Sequence, residues 1–321
     1  MGKVSPEDLE RYVFTRTGKD RDSVLVGPAY GEDTAAIQIG DRVLVVNSDP
    51  IIFAAEGIGT LGINIASNDV AASGADPEWL TVTYLLPAED GKVLDKITDQ
   101  IDRASKKLGI AVVGGHSEFV PILNRPFLGL TCLGLTDKFI PTGGAEPGDA
   151  IILTKGAGIE GTGIIATDFS GEVSDKVEEG AIRRGAENLD RLSVIPESTV
   201  LREYANSMHD PTEGGIIDGL LELGVASGLE LHVNRERIIT SSETDLLCAA
   251  MDVDPLKIFG SGALVATLAE DDTREAIGRL EEEGIPSSVI GQCKSGEAPG
   301  LYVDDEVYRD PIRDQLYDLW E

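Results

Sequence analysis

Asp33, Asp49, Asp69, Glu118 and Asp210 stand beside glycines, at the ends of apolar runs or inside an otherwise apolar helix. Magnesium is a hard cation that takes oxygen ligands, commonly one or two carboxylates with water and nucleotide phosphates in the other positions. Acids spread over several element ends suit that demand, so a metal–phosphate site is the leading reading. For each acid alone the competing reading is a helix cap or a solvated turn. Asp69 carries the most information. Ile58, Leu61, Ile65 and Ala72 recur at helical spacing, and Gly74 with Pro77 supplies a stop, which predicts a buried helix. Asn68 and Asp69 fall where such a helix would want apolar residues. A buried carboxylate without a partner costs several kcal/mol, so Asp69 calls for a cation, a donor cluster or solvent, with Asn68 as an amide neighbour.

The elements that must position these residues follow from pattern. Ser5 caps a first helix with Pro6 in its first turn and Leu9, Tyr12 and Val13 on its apolar face. A loop holding Gly27, Pro28 and Gly31 leads to Glu32-Asp33-Thr34. A strand over residues 43–46 is expected to deliver Asn47-Ser48-Asp49 at its carboxyl end. The Asn68-Asp69 helix comes next, then a strand over 80–86 and an amphipathic helix marked by Leu94, Ile97, Ile101, Ala104 and Leu108. A strand over 110–113 is expected to empty into a turn, Gly114-Gly115-His116-Ser117-Glu118. After a strand over 127–135, the run Pro141-Thr142-Gly143-Gly144-Ala145-Glu146-Pro147-Gly148 is dense in turn residues and marks a boundary between domains 1–147 and 148–321. The second half reads as a strand over 150–154, helical segments to about Tyr204, a helix over 214–226 and strands over 229–233 and 263–268. It continues with a helix over 273–283, short strands near Val289 and Leu301, and a terminal helix over 312–319.

With 57 acidic against 27 basic residues the net charge is −30. Without a basic run to neutralise phosphates, nucleic acid and anionic membrane are excluded as partners. The acids are scattered along the whole chain, the pattern of a protein kept soluble in high salt, which points to a halophilic source. Cys132, Cys248 and Cys293 lie far apart without paired spacing, so neither a disulfide framework nor a zinc knuckle is expected. No apolar run has the length of a signal peptide core or a membrane span, and a soluble cytoplasmic protein is expected.

Gly57-Ile58-Gly59-Thr60-Leu61-Gly62 and Gly156-Ala157-Gly158-Ile159-Glu160-Gly161 both fit a dinucleotide fingerprint. Neither is followed at the right distance by a strand ending in the acid that would hold a ribose, so a nicotinamide dehydrogenase is a minority reading. The glycines then serve close packing or phosphate approach. The phosphate loop ending in Gly-Lys-Ser/Thr is absent.

In order along the chain, Gly31-Glu32-Asp33-Thr34-Ala35-Ala36, Asn47-Ser48-Asp49, Asn68 to Pro77, Gly114-Gly115-His116-Ser117 and Asp210-Pro211-Thr212-Glu213-Gly214-Gly215 resemble motifs of one superfamily. It is that of aminoimidazole ribonucleotide (AIR) synthase, the PurM-like proteins, which includes selenophosphate synthetase, thiamine-monophosphate kinase and the hydrogenase-maturation protein HypE. The Asn-Asp helix followed by Trp79-Leu80-Thr81 is most similar to the HypE version. The resemblance covers nearly the whole chain. It implies an α+β fold of two domains: an amino-terminal sheet domain that forms a homodimer and the ATP site, and a carboxyl-terminal α/β sandwich domain. It further implies an ATP- and Mg-dependent enzyme that activates a small-molecule or protein-borne acceptor by phosphoryl transfer. By position Asp33, Asp49, Asp69 and Glu118 would hold magnesium and phosphates. Gly31, Asn68, Gly114, Gly115 and Ser117 would contact the nucleotide, and His116 and Asp210 would take part in the chemistry. His209, beside Asp210, is a further histidine with either a chemical or a structural role.

Two departures shape the expectation. Residues 27–31 hold no cysteine, unlike the mobile loop of selenophosphate synthetase. The last cysteine is Cys293 and the chain ends Asp318-Leu319-Trp320-Glu321, whereas HypE carries its group on a carboxyl-terminal cysteine. The tail is instead expected to dock as a helix through Leu316 and Leu319, and Cys293, near a strand end, is not expected to replace the carrier. A phosphoryl-transfer or dehydration enzyme, a small-molecule kinase and a non-catalytic nucleotide-binding relative all remain consistent with the motifs; the retained acids argue against the last.

Overall fold

A computed structural model of the chain describes residues 2–52, 57–87 and 90–320. The chain divides into two compact units: Arg21–Gly27 with Thr34–Phe139, and Met1–Asp20 with Pro28–Asp33 and Ile140–Glu321. A single cut near residue 147 does not reproduce this division, because the amino-terminal segment and the Pro28–Asp33 loop pack with the second half. The chain opens with helix α1 (Pro6–Leu9), where Asp8 N donates to the Ser5 hydroxyl at 3.2 Å, and runs on in a wide turn, Glu10–Phe14. Of the expected apolar face only Leu9 is half-buried, and Tyr12 and Val13 are exposed.

The smaller unit is a sheet with helices on one face. Strands β1 (Val24–Val26), β2 (Ala35–Ile39), β3 (Arg42–Ile51), β4 (Asp76–Leu86), β5 (Ala111–Phe119) and β6 (Phe127–Thr136) lie in the order β1-β2-β3-β6-β4-β5. All neighbours are antiparallel except β4 and β5. Along β6 every second residue is buried, so Leu128, Leu130 and Cys132 face the core. Helices α2 (Ile58–Ala72) and α3 (Gly91–Leu108) join that core through Ile58, Ile63, Ala66 and Val70 and through Ile97, Ile101 and Ala104. Burying each of these isoleucine and valine side chains is worth roughly 1.5–3 kcal/mol. The glycines of the first fingerprint-like run are packing residues: a Cβ on Gly59 would lie 2.7 Å from Ile97 O, and one on Gly62 2.9 Å from Leu130 Cδ1.

Two local expectations are corrected. Asn47-Ser48-Asp49 lies inside β3, not at its end, because pairing with β6 continues unbroken to Ile51 opposite Leu128. Gly114 to Glu118 is not a turn but the body of edge strand β5, paired in parallel with β4 beyond a bulge at Leu80/Thr81. Gly115 has φ +148° and lies directly against the Val82 backbone, a position that excludes any side chain.

In the larger unit, β7 (Ala150–Thr154), β8 (Ser207–His209), β9 (Glu230–Val233), β10 (Val265–Leu268), β11 (Ser287–Lys294), β12 (Gly300–Val303) and β13 (Glu306–Tyr308) form a sheet in the order β13-β12-β9-β11-β7-β10-β8. The helices are α4 (Ile159–Asp168), α5 (Ser170–Val173), α6 (Glu179–Ala186), α7 (Ile195–Leu201), α8 (Gly215–Ser227), α9 (Ser242–Met251), α10 (Thr273–Glu282) and α11 (Tyr317–Trp320). Of these elements, β8, α9 and β13 had no clear sequence signal. The second fingerprint-like run opens α4, and Gly161 again serves packing, since a Cβ there would meet Ile258 at 2.7 Å. The tail does dock: Leu316 is fully buried and the Trp320 ring lies 5.4 Å from Phe169 and 6.4 Å from Phe259. The terminal helix is shorter than expected because Ile312 N donates to Asp218 Oδ1 at 3.1 Å and Leu316 N to Asp314 Oδ1 at 2.9 Å. These bonds hold the preceding residues out of a helix. Among the described residues no helix is long and apolar enough to cross a membrane.

Candidate functional site

The carboxyl end of β8 and the start of α8 organise the site in the larger unit. Ser207-Met208-His209 is buried against β10, so the chain leaves the sheet at His209-Asp210 with both side chains inside. Pro211 to Gly214 then turns into α8. Gly214 and Gly215 both have positive φ, and Gly214 N donates to Asp314 Oδ2 at 2.8 Å. A Cβ on Gly215 would lie 2.6 Å from the carbonyls of Leu256 and Ile258, so the tight entry into α8 requires glycine at that position. One turn apart on α8, Asp218 and Glu222 project toward the amino-terminal segment.

Here a chain of charges forms. His209 Nε2 lies 3.0 Å from Glu222 Oε2, and Nδ1 lies 2.9 Å from Asp33 Oδ2. Lys3 Nζ donates to Glu222 Oε1 at 2.8 Å and stands 3.7 Å from Asp218 Oδ2. The backbone sets up the approach: Gly31, at φ +81°, lets the loop lie on α8, where a Cβ would be 3.0 Å from Glu222 O. The neighbouring Glu32 accepts from Thr142 N at 3.3 Å and Gly143 N at 3.0 Å.

Electrostatics follow from this geometry. Burial alone would depress the His209 pKa, but the Asp33 and Glu222 carboxylates raise it well above the usual histidine value, so the ring is an imidazolium, with Nε2 donating to Glu222 and Nδ1 in ion-pair contact with Asp33. Burial works against ionised Glu222, yet Lys3 and His209 bring its pKa down to about 2. Lys3 is likewise held protonated, against its burial, by Glu222 and Asp218. Asp218 is pushed up to about 6 by burial and by the charge on Glu222. Burial also raises Glu32.

Among the described residues, Asp33, His209 and Asp210 are the one set of such ligands whose donor atoms all lie within 4.8 Å of one another. Two of the sequence-derived site residues, Asp33 and Asp210, thus come together. Gly31 belongs to the same loop as Asp33, and the others lie in the smaller unit. Asn68 and Asp69 are buried in α2, Asp69 at 4 % exposure. Asp49 is half-buried in β3 and accepts from Asn47 Nδ2 at 3.1 Å. His116 and Glu118 are exposed on β5 with His116 Nε2 3.4 Å from Glu118 Oε2, and Gly114, Gly115 and Ser117 belong to the same strand. Asp49, Asp69 and Glu118 form no ligand set as tight as that around His209.

Sequence reasoning missed Lys3, Asp218 and Glu222. The signal for the last pair was present: in Gly215-Ile216-Ile217-Asp218-Gly219-Leu220-Leu221-Glu222 two acids four apart interrupt an apolar helix. Lys3 gave none.

Two sheet-and-helix units with this motif order define the two-domain α+β PurM-like fold. The chain belongs to the AIR synthase-related family: the AIR synthase related protein N-terminal domain matches residues 31–136 and the C-terminal domain residues 146–304. It is 28 % identical over 293 residues to a putative hydrogenase expression/formation protein of Methanocaldococcus jannaschii, covering 87 % of this chain and 84 % of that one. It is 28 % identical over 258 residues to the carbamoyl dehydratase HypE of Cupriavidus necator, covering 75 % and 70 %. A solved structure of the hydrogenase maturation protein HypE in complex with ATP superposes with a TM-score of 0.70 at 22 % identity, over 97 % of this chain and 92 % of that one.

Proposed function

We propose that the chain is an ATP- and magnesium-dependent enzyme that activates a small-molecule or protein-borne acceptor by phosphoryl transfer. The observation that carries it is the convergence of Asp33 and Asp210, from two separate family motifs, beside a buried histidine. Because both ring nitrogens of His209 face carboxylates, the ring is not a metal ligand, and the donors left at this point are carboxylate oxygens, the type magnesium takes. A bound magnesium ion would neutralise phosphate charge and orient the transferring group. The imidazolium, 2.9 Å from Asp33 Oδ2, fixes the orientation of that carboxylate.

Asp49, Asp69 and Glu118 are assigned to magnesium and phosphate as well, Gly31, Asn68, Gly114, Gly115 and Ser117 to the nucleotide, and His116 with Asp210 to the reacting groups. The likeness to HypE relatives, one of them solved with ATP, supports this assignment. Edge strand β5, with all nine residues exposed and Val113 at 58 %, supports a homodimer built on the smaller unit. The acid excess of the chain supports a halophilic source, its lack of basic runs a protein free of nucleic acid and anionic membrane, and its three cysteines without paired spacing a cytoplasmic location. Calorimetry with magnesium and a non-hydrolysable ATP analogue tests the proposal. Saturable binding that disappears with chelator is expected, followed by nucleotide turnover once an acceptor is supplied. Failure of the analogue to bind in the presence of magnesium would overturn it.

A further inference from the structure

A cavity of about 630 Å³ lies within the larger unit, between the amino-terminal segment, the Tyr30 to Asp33 loop and α8. Its size is that of a small-molecule site. Its lining combines apolar side chains, Leu9, Phe14 and Ile312, with the carboxylates of Asp33, Glu213, Asp218 and Glu222. Asp218 and Glu222 are buried, with side-chain exposures of 2 % and 8 %, and they hold an ammonium group, that of Lys3, at 3.7 and 2.8 Å. The Lys3 side chain reaches them from a segment whose residues 2–5 are exposed, and its backbone N donates to Glu213 Oε1 at 3.2 Å. Above this floor the Tyr30 hydroxyl is buried and meets no hydrogen-bond partner among the described residues.

We propose that this cavity binds a protonated amine with an apolar body, whose ammonium group replaces that of Lys3 on the Asp218–Glu222 pair. The body lies on Leu9, Phe14 and Ile312. Tyr30 donates its unused hydroxyl proton to an acceptor on the ligand. Lys3 is an internal competitor: it satisfies the carboxylates while the site is empty, and its side chain, carried on the exposed residues 2–5, swings out to solvent when the ligand enters, while Leu9 and Phe14 stay in place. Because Asp33 lines the same cavity, a ligand seated there is next to the carboxylate assigned to magnesium and phosphate. As an acceptor subsite it therefore rests on the phosphoryl-transfer proposal; as an amine site it does not.

The test is calorimetric titration of the full chain with benzylammonium, benzyl alcohol and benzoate. Benzylammonium alone is expected to bind to the wild type. Lys3→Met should tighten it by about tenfold, Lys3→Arg, which keeps the cation, should not, and Leu9→Trp, which adds bulk to the apolar lining, should abolish it. Benzoate binding as well as benzylammonium, equal affinity of Lys3→Met and wild type, or unchanged binding to Leu9→Trp would each overturn the proposal. Should Lys3→Met fail to fold, the comparison of ligands on the wild type and on Leu9→Trp still decides. The same samples titrated with magnesium and the ATP analogue separate the two proposals. Amine binding without nucleotide binding sinks the enzymatic one, and nucleotide binding without amine binding sinks this one.

Discussion

His209 Nε2 and Glu222 Oε2 lie 3.0 Å apart in the buried part of the larger unit, and each helps to hold the charge of the other, alongside Asp33 for His209 and Lys3 for Glu222. The imidazolium and the Lys3 ammonium allow a carboxylate to stay ionised inside the fold. The carboxylates in turn allow a buried histidine to stay charged. Neither group would hold its charge there alone.

Glu222→Gln should cost about 3 kcal/mol at neutral pH. The sign with pH follows from the Glu222 pKa, lowered from 4.5 to about 2. Its contribution is present above the unfolded value and is lost as pH falls through 4.5 toward 2. His209 behaves oppositely, with a contribution full below 6.5 and lost only as pH rises through its raised folded value. Urea denaturation of wild type and Glu222→Gln at several pH values checks both. A difference that persists undiminished at pH near 2 would show that the ion pairs are not its source.

Glu160 works in the other sense. It is 4 % exposed, and burial pushes its pKa up to about 7 despite bonds from Ser261. Asp314, which it repels, is likewise pushed up to about 7 by burial. An acid that keeps its proton in the folded state makes stability fall as pH rises from its unfolded pKa to its folded one. Glu160→Gln should therefore be more stable than wild type at pH 7 by about 2 kcal/mol, an order-of-magnitude figure from the size of the shift, and should flatten that fall. Thermal melts across pH 5 to 8, all outside the quoted range for Glu222, read this directly; a parallel pH dependence in the variant would contradict it.

Asp69→Asn should abolish magnesium-dependent binding of the ATP analogue while leaving the circular dichroism spectrum of the folded chain intact. The amide keeps the shape of the carboxylate in α2 but not its charge. Unchanged nucleotide affinity would remove Asp69 from the metal assignment.

Val113→Glu places a charge on the exposed edge of β5. If that edge pairs with a second copy, light scattering in high salt should show monomer for the variant and dimer for the wild type. A wild-type monomer, or a variant dimer of unchanged stability, would count against the interface.

Cys132, Cys248 and Cys293 are all buried, and burial pushes each thiol up to about 12. The native chain should therefore resist alkylation by iodoacetamide at pH 7, and incubation with ATP and a carbamoyl donor should leave its mass unchanged. An adduct on Cys293 would restore a thiol-carrier role.

The sequence by itself determined the elements whose signal is local. Period-two burial along residues 127–136, helical spacing from Ile58 to Ala72 and from Leu94 to Leu108, the Ser5-Pro6 helix start and the order of the family motifs all lie within short windows. Tertiary structure decided what depends on residues distant in the chain. Gly114 to Glu118 extends as a strand because β4 offers a parallel edge with a bulge, and residues 312–316 stay non-helical because Asp218 and Asp314 bind their amides. The buried charges were decided in the same way. His209 is an imidazolium only because Asp33 from one loop and Glu222 from α8 reach its two nitrogens, and Glu222 is ionised partly because Lys3 arrives from the start of the chain. Periodicity registers which face of an element is apolar. The charge of a buried group is set by which other charges lie within a few ångströms, and only folding brings those together.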